Sequence, residues 1–342
     1  MTEGPLEALE EQLMEACREG QAELARRLLD QGAEPGFQDA EGVTPLMLAA
    51  ESGNAALVSA LLEAGAPWHA QDNEGYTAGE YASGSQHKHI VELLLDWAVR
   101  AELILGTVSR REKKAAGLAA NRDYLSGTLR YEDGKLIDAE GEAVMMGWEA
   151  PLMERHAEII CSQGGDVLNV GFGLGIIDAA IQRHAPRSHT IIEAHPDVYQ
   201  YMLSQGWDKK AGLGPFDGIF FDTYGEYYED MHDFHVHLPR LLKPGGIYSF
   251  FNGLAPDNIF FHLVYGKIAE LELARLGLRT KYQPVPIDAS ADKVWEGVKN
   301  RYWHLPVYFV PTCVLEAATE NGEVGKVQTG QERTSNDEVG AT

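Results

Sequence analysis

The stretch D-V-L-N-V-G-F-G-L-G, Asp166 to Gly175, decides the reading of this chain. Val167, Leu168 and Val170 form an apolar run of strand length. Gly171, Gly173 and Gly175 follow at once, and Ile176, Ile177, Ala180 and Ile181 then recur at helical spacing. The pattern predicts a strand, a glycine turn and a helix start. Such a turn lets backbone approach a ligand closely and aims the free N–H groups of a helix N-terminus at it. Ile176 breaks the dinucleotide pattern G-x-G-x-x-G, so the loop alone leaves a purely structural turn open. Glu193 shifts the balance. It closes a second apolar run, Thr190 to Ile192, about 20 residues beyond the glycines, where an acidic side chain meets ribose hydroxyls. A nucleoside-bearing cofactor is the favoured reading.

Outward from this loop, strands and helices alternate. A helix is expected from Pro151 to Ile160 with Glu149 just before its start, and another after His195 through Tyr201. Phe216 to Phe221 reads as an apolar strand ending in Asp222. Lys243-Pro244-Gly245-Gly246 is the expected stop and turn before a strand from Ile247 to Phe251, and a last strand is expected around Tyr308 to Val314. This half of the chain is therefore a doubly wound α/β domain, with functional groups expected at the strand C-termini. Tyr124 to Ala143, polar with Asp-Gly and Glu-Gly turn signals, reads as a hairpin or lid.

The N-terminal part repeats itself every 33 residues. Leu13-Met14-Glu15-Ala16 matches Leu46-Met47-Leu48-Ala49, and Leu28-Leu29, Leu61-Leu62 and Leu94-Leu95 are in register. Thr44-Pro45-Leu46-Met47-Leu48-Ala49 resembles the T-P-L-H-x-A opening of the ankyrin repeat, with Met47 in the histidine position. That resemblance implies paired antiparallel helices, two units clear and a third, Gly79 to Arg100, degenerate. So short an array cannot bury its own apolar face and is expected to lean on the α/β domain, as a docking module or as a stabilising cap. The expected division is 1–100 repeats, 101–123 a linker helix bearing Arg110, Arg111, Lys113 and Lys114, 124–315 the α/β domain, and 316–342 a disordered tail.

Bulk properties narrow the function classes. A formal charge of −24 over 342 residues argues against direct nucleic-acid binding and favours basic partners. No run approaches the ~18 apolar residues that span a bilayer, and the acidic start M-T-E-G-P-L-E-A-L-E-E-Q lacks a signal peptide's basic residues, so a cytoplasmic or nuclear protein without membrane contact is expected; a monomer is expected as well. Cys17, Cys161 and Cys313 are too few and scattered for a disulfide framework or a cysteine metal site and are expected to be buried thiols. His232, His235 and His237 are expected to be ordinary surface or supporting histidines, with no metal at the site.

Four motifs together give a sharper resemblance. V-M-M-G-W-E-A-P-L-M (144–153), N-V-G-F-G-L-G (169–175), F-D-G-I-F-F-D-T-Y (216–224) and L-L-K-P-G-G (241–246) are similar, in order and spacing, to the guanidinoacetate methyltransferases. With ankyrin repeats in front, the chain resembles their fungal relatives, the type IV protein arginine N-delta-methyltransferases. The fold this implies is a class I (Rossmann-like) α/β domain dependent on S-adenosylmethionine, preceded by an all-α ankyrin repeat domain. The resemblance implies Glu149 and Asp222 as the carboxylates that hold the guanidinium, with Asp222 also helping to remove a proton. For the cofactor it implies Gly171, Phe172, Gly173, Leu174, Gly175, Ile176 and Ile177 around the methionine moiety. Glu193, Ala194 and His195 would meet ribose and adenine, Met145 and Met153 its apolar side, with Asp222 near by and Tyr124 or Tyr131 in the lid. The implied substrate is a protein with an accessible arginine, a large-subunit ribosomal protein in that family; a small guanidino compound and a catalytically impaired binding protein are the alternatives.

One departure stands out. Only Gly206 to Pro215 separate the helix after His195 from the strand at Phe216, too few for the strand and helix that class I sheets insert there. The lost strand is a sheet edge, so the fold is expected to survive with a partly open adenine pocket and weakened cofactor affinity; Trp207 does not obviously replace the family's adenine-covering tryptophan.

Overall fold

The computed structural model describes residues 7–116, 122–207, 214–224, 228–287 and 292–317. The expected tail beyond Leu315 lies almost wholly outside them, as does most of the short segment before Phe216. The N-terminal third is three helix pairs: α1 (Glu7–Arg18) with α2 (Ala22–Asp30), α3 (Pro45–Ser52) with α4 (Ala55–Glu63), and α5 (Ala78–Gly84) with α6 (Lys88–Ala116). The repeat signals have direct structural uses. Thr44 Oγ1 accepts the Met47 N–H at 3.2 Å, with Pro45 in the first turn where no N–H partner is needed, and Thr77 Oγ1 caps α5 by accepting the Gly79 N–H at 3.2 Å. Residues one period apart join the turns between pairs: Gln38 Nε2 donates to the Gln71 carbonyl, and Asn73 Nδ2 to that of Ala40. The third unit is a full helix pair. Its second helix runs on without a break as far as Ala116, into the segment expected as a separate linker; residues 117–121 of that segment lie outside the described ones.

The rest is an α/β domain. After α7 (Arg122–Ser126), a small antiparallel sheet of β1 (Arg130–Glu132), β2 (Lys135–Ile137) and β3 (Ala143–Met146) stands where the hairpin or lid is expected. Next come α8 (Ala150–Ile160), β4 (Asp166–Val170), α9 (Ile176–Arg183), β5 (Ser188–Ile192), α10 (Pro196–Ser204) and β6 (Phe216–Phe221). The chain continues through α11 (Tyr228–His235), α12 (Leu238–Leu241), β7 (Leu242–Phe250), α13 (Ile259–Arg275), β8 (Leu278–Pro286) and β9 (Val307–Leu315). The six-stranded sheet has the order β5-β4-β6-β7-β9-β8. Its first four strands are parallel, and β9 is antiparallel to both of its neighbours. Among the described residues β5 is the outer strand. Lys243-Pro244-Gly245-Gly246 forms the first part of β7 rather than a turn before it, with an irregular register opposite Phe216 to Gly218. Lys243 is fixed there because its ammonium meets Asp217 at 2.6 Å and Asp166 at 3.0 Å.

Helices cover both faces, as a parallel sheet requires. Met153, Ala157, Ile160, Ile177, Ile181 and Met202 of α8, α9 and α10 make one layer with Val167 and Phe220. The other layer runs without interruption from Phe216, Ile219 and Tyr248 through Val264, Ile268 and Leu273 of α13 into Leu46, Leu57, Leu61, Ile90 and Leu94 of the repeats. The repeats therefore close their apolar end on α13, which is buried from two sides. This explains why α13 shows so little polar face in F-F-H-L-V-Y-G-K-I-A. Cys17, Cys161 and Cys313 are buried free thiols, and no described helix is long and apolar enough to cross a membrane.

Candidate active site

Two cavities meet at the C-terminal ends of the parallel strands, sharing Val144, Asp222, Thr223 and Tyr224 as their common wall. The smaller, about 170 Å³, is built on the glycine loop. Gly171 makes that meeting possible. Its φ is +93°, and a Cβ there would lie 1.8 Å from the Asp222 carbonyl oxygen, so only glycine lets the loop lie against the end of β6. Gly173 is constrained from the other side, since a Cβ would come within 2.5 Å of the Met145 sulfur. Behind the loop, buried Asn169 donates to the Gly171 carbonyl at 2.7 Å and to the carboxylate of Asp178, which burial pushes up in pKa. The loop is pinned from within the sheet.

Glu193, at the end of β5, faces the loop. Its Oε2 accepts the Phe172 N–H at 2.8 Å and its Oε1 the His195 N–H at 2.7 Å, which leaves each oxygen a lone pair for a ligand hydroxyl. Tyr124, Met145, Gly171, Phe172, Gly173, Ile177, Glu193, Ala194 and Asp222, of the residues expected at a cofactor, line this cavity. Leu174, Gly175, Ile176, Tyr131, Met153 and His195 do not. Met153 is fully buried in the layer beneath, and Gly175 caps α9. His195 sits under the floor, its Nδ1 accepting the Asp197 N–H and its Nε2 donating to the Tyr124 carbonyl. Tyr131 braces the loop from outside, stacked on Tyr201 with its hydroxyl on the Gly173 carbonyl at 3.3 Å. Trp207 packs edge-on against Phe172 and His189 and does not reach the cavity. Leu125, Ile192 and Val198 are lining residues the sequence did not disclose; Ile192, at the end of the outer described strand β5, is 51% exposed.

The larger cavity, about 420 Å³, holds Glu149 and Asp222 together. Glu149 ends a single 3-10 turn, Gly147–Glu149, and is 3% exposed. Its Oε1 accepts both the Met146 N–H at 2.8 Å and the Tyr302 hydroxyl at 2.6 Å. Among the described residues no hydrogen bond falls on Oε2 or on the Asp222 carboxylate. Burial, with the charge of Asp222 added, pushes the Glu149 carboxyl up to about 8 despite those two donors. Burial alone pushes Asp222 up to about 7. Two carboxylates with spare acceptor atoms and no described cation beside them form a site for a planar, forked cationic donor.

Aromatic residues wall this cavity. Tyr302, Trp303, Tyr224 and Phe251 line it, with Trp295 edge-on to Tyr302 behind. Tyr302 and Trp303 lie in the aromatic run before β9, whose proximity to Glu149 no local pattern discloses. Deeper still, Ser249 donates to the Pro311 carbonyl, so His156 Nδ1–H must donate to Ser249 and His156 Nε2 must accept from Tyr308. Tyr308 in turn accepts the Asn252 N–H at 2.7 Å, and burial pushes His156 down to about 3. The chain of hydrogen bonds is complete and fixes the end of β7 beside the cavity. The three singled-out histidines lie elsewhere. His232 pairs with Glu272 and His235 with the Tyr248 hydroxyl, and no group of three potential metal ligands occurs among the described residues.

The strand order, the glycine loop under an acid-tipped β5 and the adjoining carboxylate cavity define a class I, Rossmann-like methyltransferase domain carrying N-terminal ankyrin repeats. The chain belongs to the guanidinoacetate N-methyltransferase family, whose model matches residues 120–314; three ankyrin repeats match over residues 13–103. It is 37% identical over 239 residues to protein arginine N-methyltransferase 2 of Yarrowia lipolytica, covering 61% of this chain and 50% of that protein. The proteins of the same name from Neurospora crassa and Saccharomyces cerevisiae are 38% and 36% identical, covering 56% of this chain in each case and 53% of each relative. The chain spans about half the length of the curated relatives it matches.

The methyl donor such a fold implies, S-adenosylmethionine, fits the residues present. Glu193 offers acceptors for ribose hydroxyls, and Ile192 and Val198 offer apolar surface for adenine. The Asp222 carboxylate, on the wall the two cavities share, would offer a negative charge to a sulfonium, and Gly171 and Gly173 let the loop backbone close against Asp222 and Met145.

Proposed function

We propose that this protein methylates the internal (delta) nitrogen of arginine residues in a protein substrate, using S-adenosylmethionine, in the cytosol or nucleus. The observation that carries the reading is the convergence of Glu149 and Asp222, each with free acceptor atoms, in a cavity that shares a wall with the glycine-loop cavity. A guanidinium keeps its charge throughout the physiological range, and its coplanar N–H groups match two carboxylates. Glu149, held by Met146 and Tyr302, fixes the plane of the head group. Asp222 lies nearer the cofactor side and takes up the proton that the delta nitrogen loses as it is alkylated, a role suited to a carboxyl raised toward neutral pH. The bound cofactor supplies an electrophilic methyl on sulfur. Tyr224, Phe251, Tyr302 and Trp303 keep water from the head group.

A protein rather than a small molecule is favoured because the repeats share a core with the domain and lie beside the cavity wall; the names of the relatives and the acidic charge point the same way. A ribosomal protein, rich in accessible arginine, is the substrate class we test first. Labelled S-adenosylmethionine offered with large-subunit ribosomal proteins or with guanidinoacetate distinguishes the two substrates. Label is expected in protein, and turnover confined to guanidinoacetate would overturn the protein reading. With β5 the outer strand of the sheet among the described residues, cofactor affinity is proposed to be at least about tenfold weaker than in relatives that have the extra strand and helix. Calorimetric titration giving equal affinity would refute it.

A pH dependence follows from the two carboxyls. Both are raised, so each must lose a proton to bind a guanidinium. kcat/KM is expected to rise with pH through about 7 to 8 and then level off, whereas a fall over that interval would contradict the assignment. The sign for stability is opposite. The folded protein holds protons that the unfolded chain has released, so the free protein loses stability as pH rises from the ordinary carboxylate range to about 8.

A further inference from the structure

Glu80 of α5 has two faces. Its Oε2 caps its own helix, accepting from the Thr77 backbone at 2.8 Å and from the Thr77 hydroxyl at 2.6 Å. Its Oε1 points into the other domain and accepts the Phe260 N–H at 3.2 Å, in the first turn of α13. The same carboxylate thus caps one helix in each domain. Asn258 completes the exchange. As N-cap of α13 its Oδ1 accepts the Phe261 N–H at 2.9 Å, and its Nδ2 donates to the Gly75 carbonyl of the third repeat at 3.1 Å. Between these bonds the surfaces touch directly. A Cβ on Gly79 would lie 2.1 Å from the Phe260 ring, and Trp68 stands edge-on to Phe260 and Phe261.

The turn gripped in this way carries the wall of the carboxylate cavity. The loop from β7 to α13 contributes Phe251, Gly253, Leu254 and Pro256 to that cavity and nothing to the glycine-loop cavity. His262, one turn into α13, holds the loop. Its Nδ1 donates to the Leu254 carbonyl at 2.6 Å, so its Nε2 accepts from Asn252 Nδ2 at 3.2 Å. On the far side the His304 N–H holds the Pro256 carbonyl at 3.0 Å, next to Trp303. Where α13 begins therefore sets how far Leu254 and Pro256 stand from Glu149 and Asp222.

We propose that the third ankyrin repeat is a working part of the substrate site, and that Glu80 is a positioning residue acting through the first turn of α13 and His262 on the wall of the guanidinium cavity. The proposal rests on the arginine reading of that cavity. It predicts that Glu80→Ala raises KM for the protein substrate about five- to tenfold, with a smaller loss in kcat and cofactor Kd unchanged within about twofold. Glu80→Gln, which keeps an acceptor oxygen, should restore most of the loss. Asn258→Asp is the second variant. It keeps the cap on Phe261 but replaces the donor to Gly75, and the same shift in KM is expected.

Hydrogen exchange supplies a readout that needs no catalysis. In full-length Glu80→Ala and Asn258→Asp proteins, amides of 252–257 should exchange faster while those of β4 and β6 keep their protection. If the protein transfers no methyl group to arginine but this exchange pattern holds, the coupling stands and the substrate reading fails. If both variants lose only thermal stability, with KM and the exchange of 252–257 unchanged, the contact is merely structural and the proposal is overturned. Should Glu80→Ala fail to fold, Asn258→Asp decides on the same two readouts.

Discussion

Asp222→Asn is expected to lower kcat by about 10³- to 10⁴-fold, the range for loss of a positioned proton acceptor together with a charged hydrogen bond to the reacting group. The substitution preserves shape. The Asp222 N–H still meets the Val170 carbonyl at 2.9 Å, and Gly171 still lies against its carbonyl, so the sheet end is unchanged. Only the acceptor that takes the guanidinium proton disappears. Glu149→Gln serves as the comparison. It keeps an oxygen for Met146 and Tyr302 but loses the charge, so it should mainly raise KM for substrate, by a factor corresponding to about 1.5–3 kcal/mol, and leave cofactor binding intact because Glu149 lies outside the glycine-loop cavity. Both variants should be more stable than the parent at pH 8 without substrate, because each removes a carboxyl whose ionisation the fold opposes. A gain in stability coupled to a loss in turnover marks a site held ready for a cation, and near-normal kinetics of both proteins would remove these carboxylates from the mechanism.

Gly171→Ala is expected to be at least as damaging, for a different reason. Its φ of +93° is unfavourable for an L side chain, and the new methyl would overlap the Asp222 carbonyl at 1.8 Å. Backbone strain and overpacking together should cost about 2–5 kcal/mol, and what folds should have the loop pushed away from β6. Urea unfolding measures the first effect and calorimetric titration with S-adenosylmethionine the second. Binding within about twofold of the parent would show that the loop does not need its contact with Asp222.

The parts of this architecture that local patterns encode were legible in the sequence. The 33-residue period places the helix pairs because each repeat must present the same apolar edge to its neighbour, and Val167 to Gly175 places the cofactor loop because only glycine fits there. Glu149, Glu193 and Asp222 stand out as acids at the ends of apolar runs or helix starts. What stayed hidden depends on tertiary context. α13 is buried by the sheet on one side and the repeats on the other, so it lacks the polar stripe that announces a helix, and β8 carries Pro284 and Pro286, which argue against a strand yet are tolerated at the sheet's other edge. Tyr302 meets Glu149 across 153 residues of chain, and Glu80 meets Phe260 across 180; neither pairing has a local signal. Some of the expected cofactor residues do not line the cavity, for a related reason. Met153 lies inside α8 and is fully buried beneath the sheet, and His195, the N-cap of α10, has both ring nitrogens tied to Asp197 and Tyr124, so neither side chain reaches the cavity.

The central claim, that Glu149 and Asp222 present an arginine for methylation at its internal nitrogen, is tested most directly by fragment-ion mass spectrometry of the modified protein substrate, with Asp222→Asn as control. The account predicts a single methyl group on the delta nitrogen of arginine, absent from the control reaction. Methylation confined to the terminal guanidino nitrogens, or undiminished in the Asp222→Asn reaction, would contradict it.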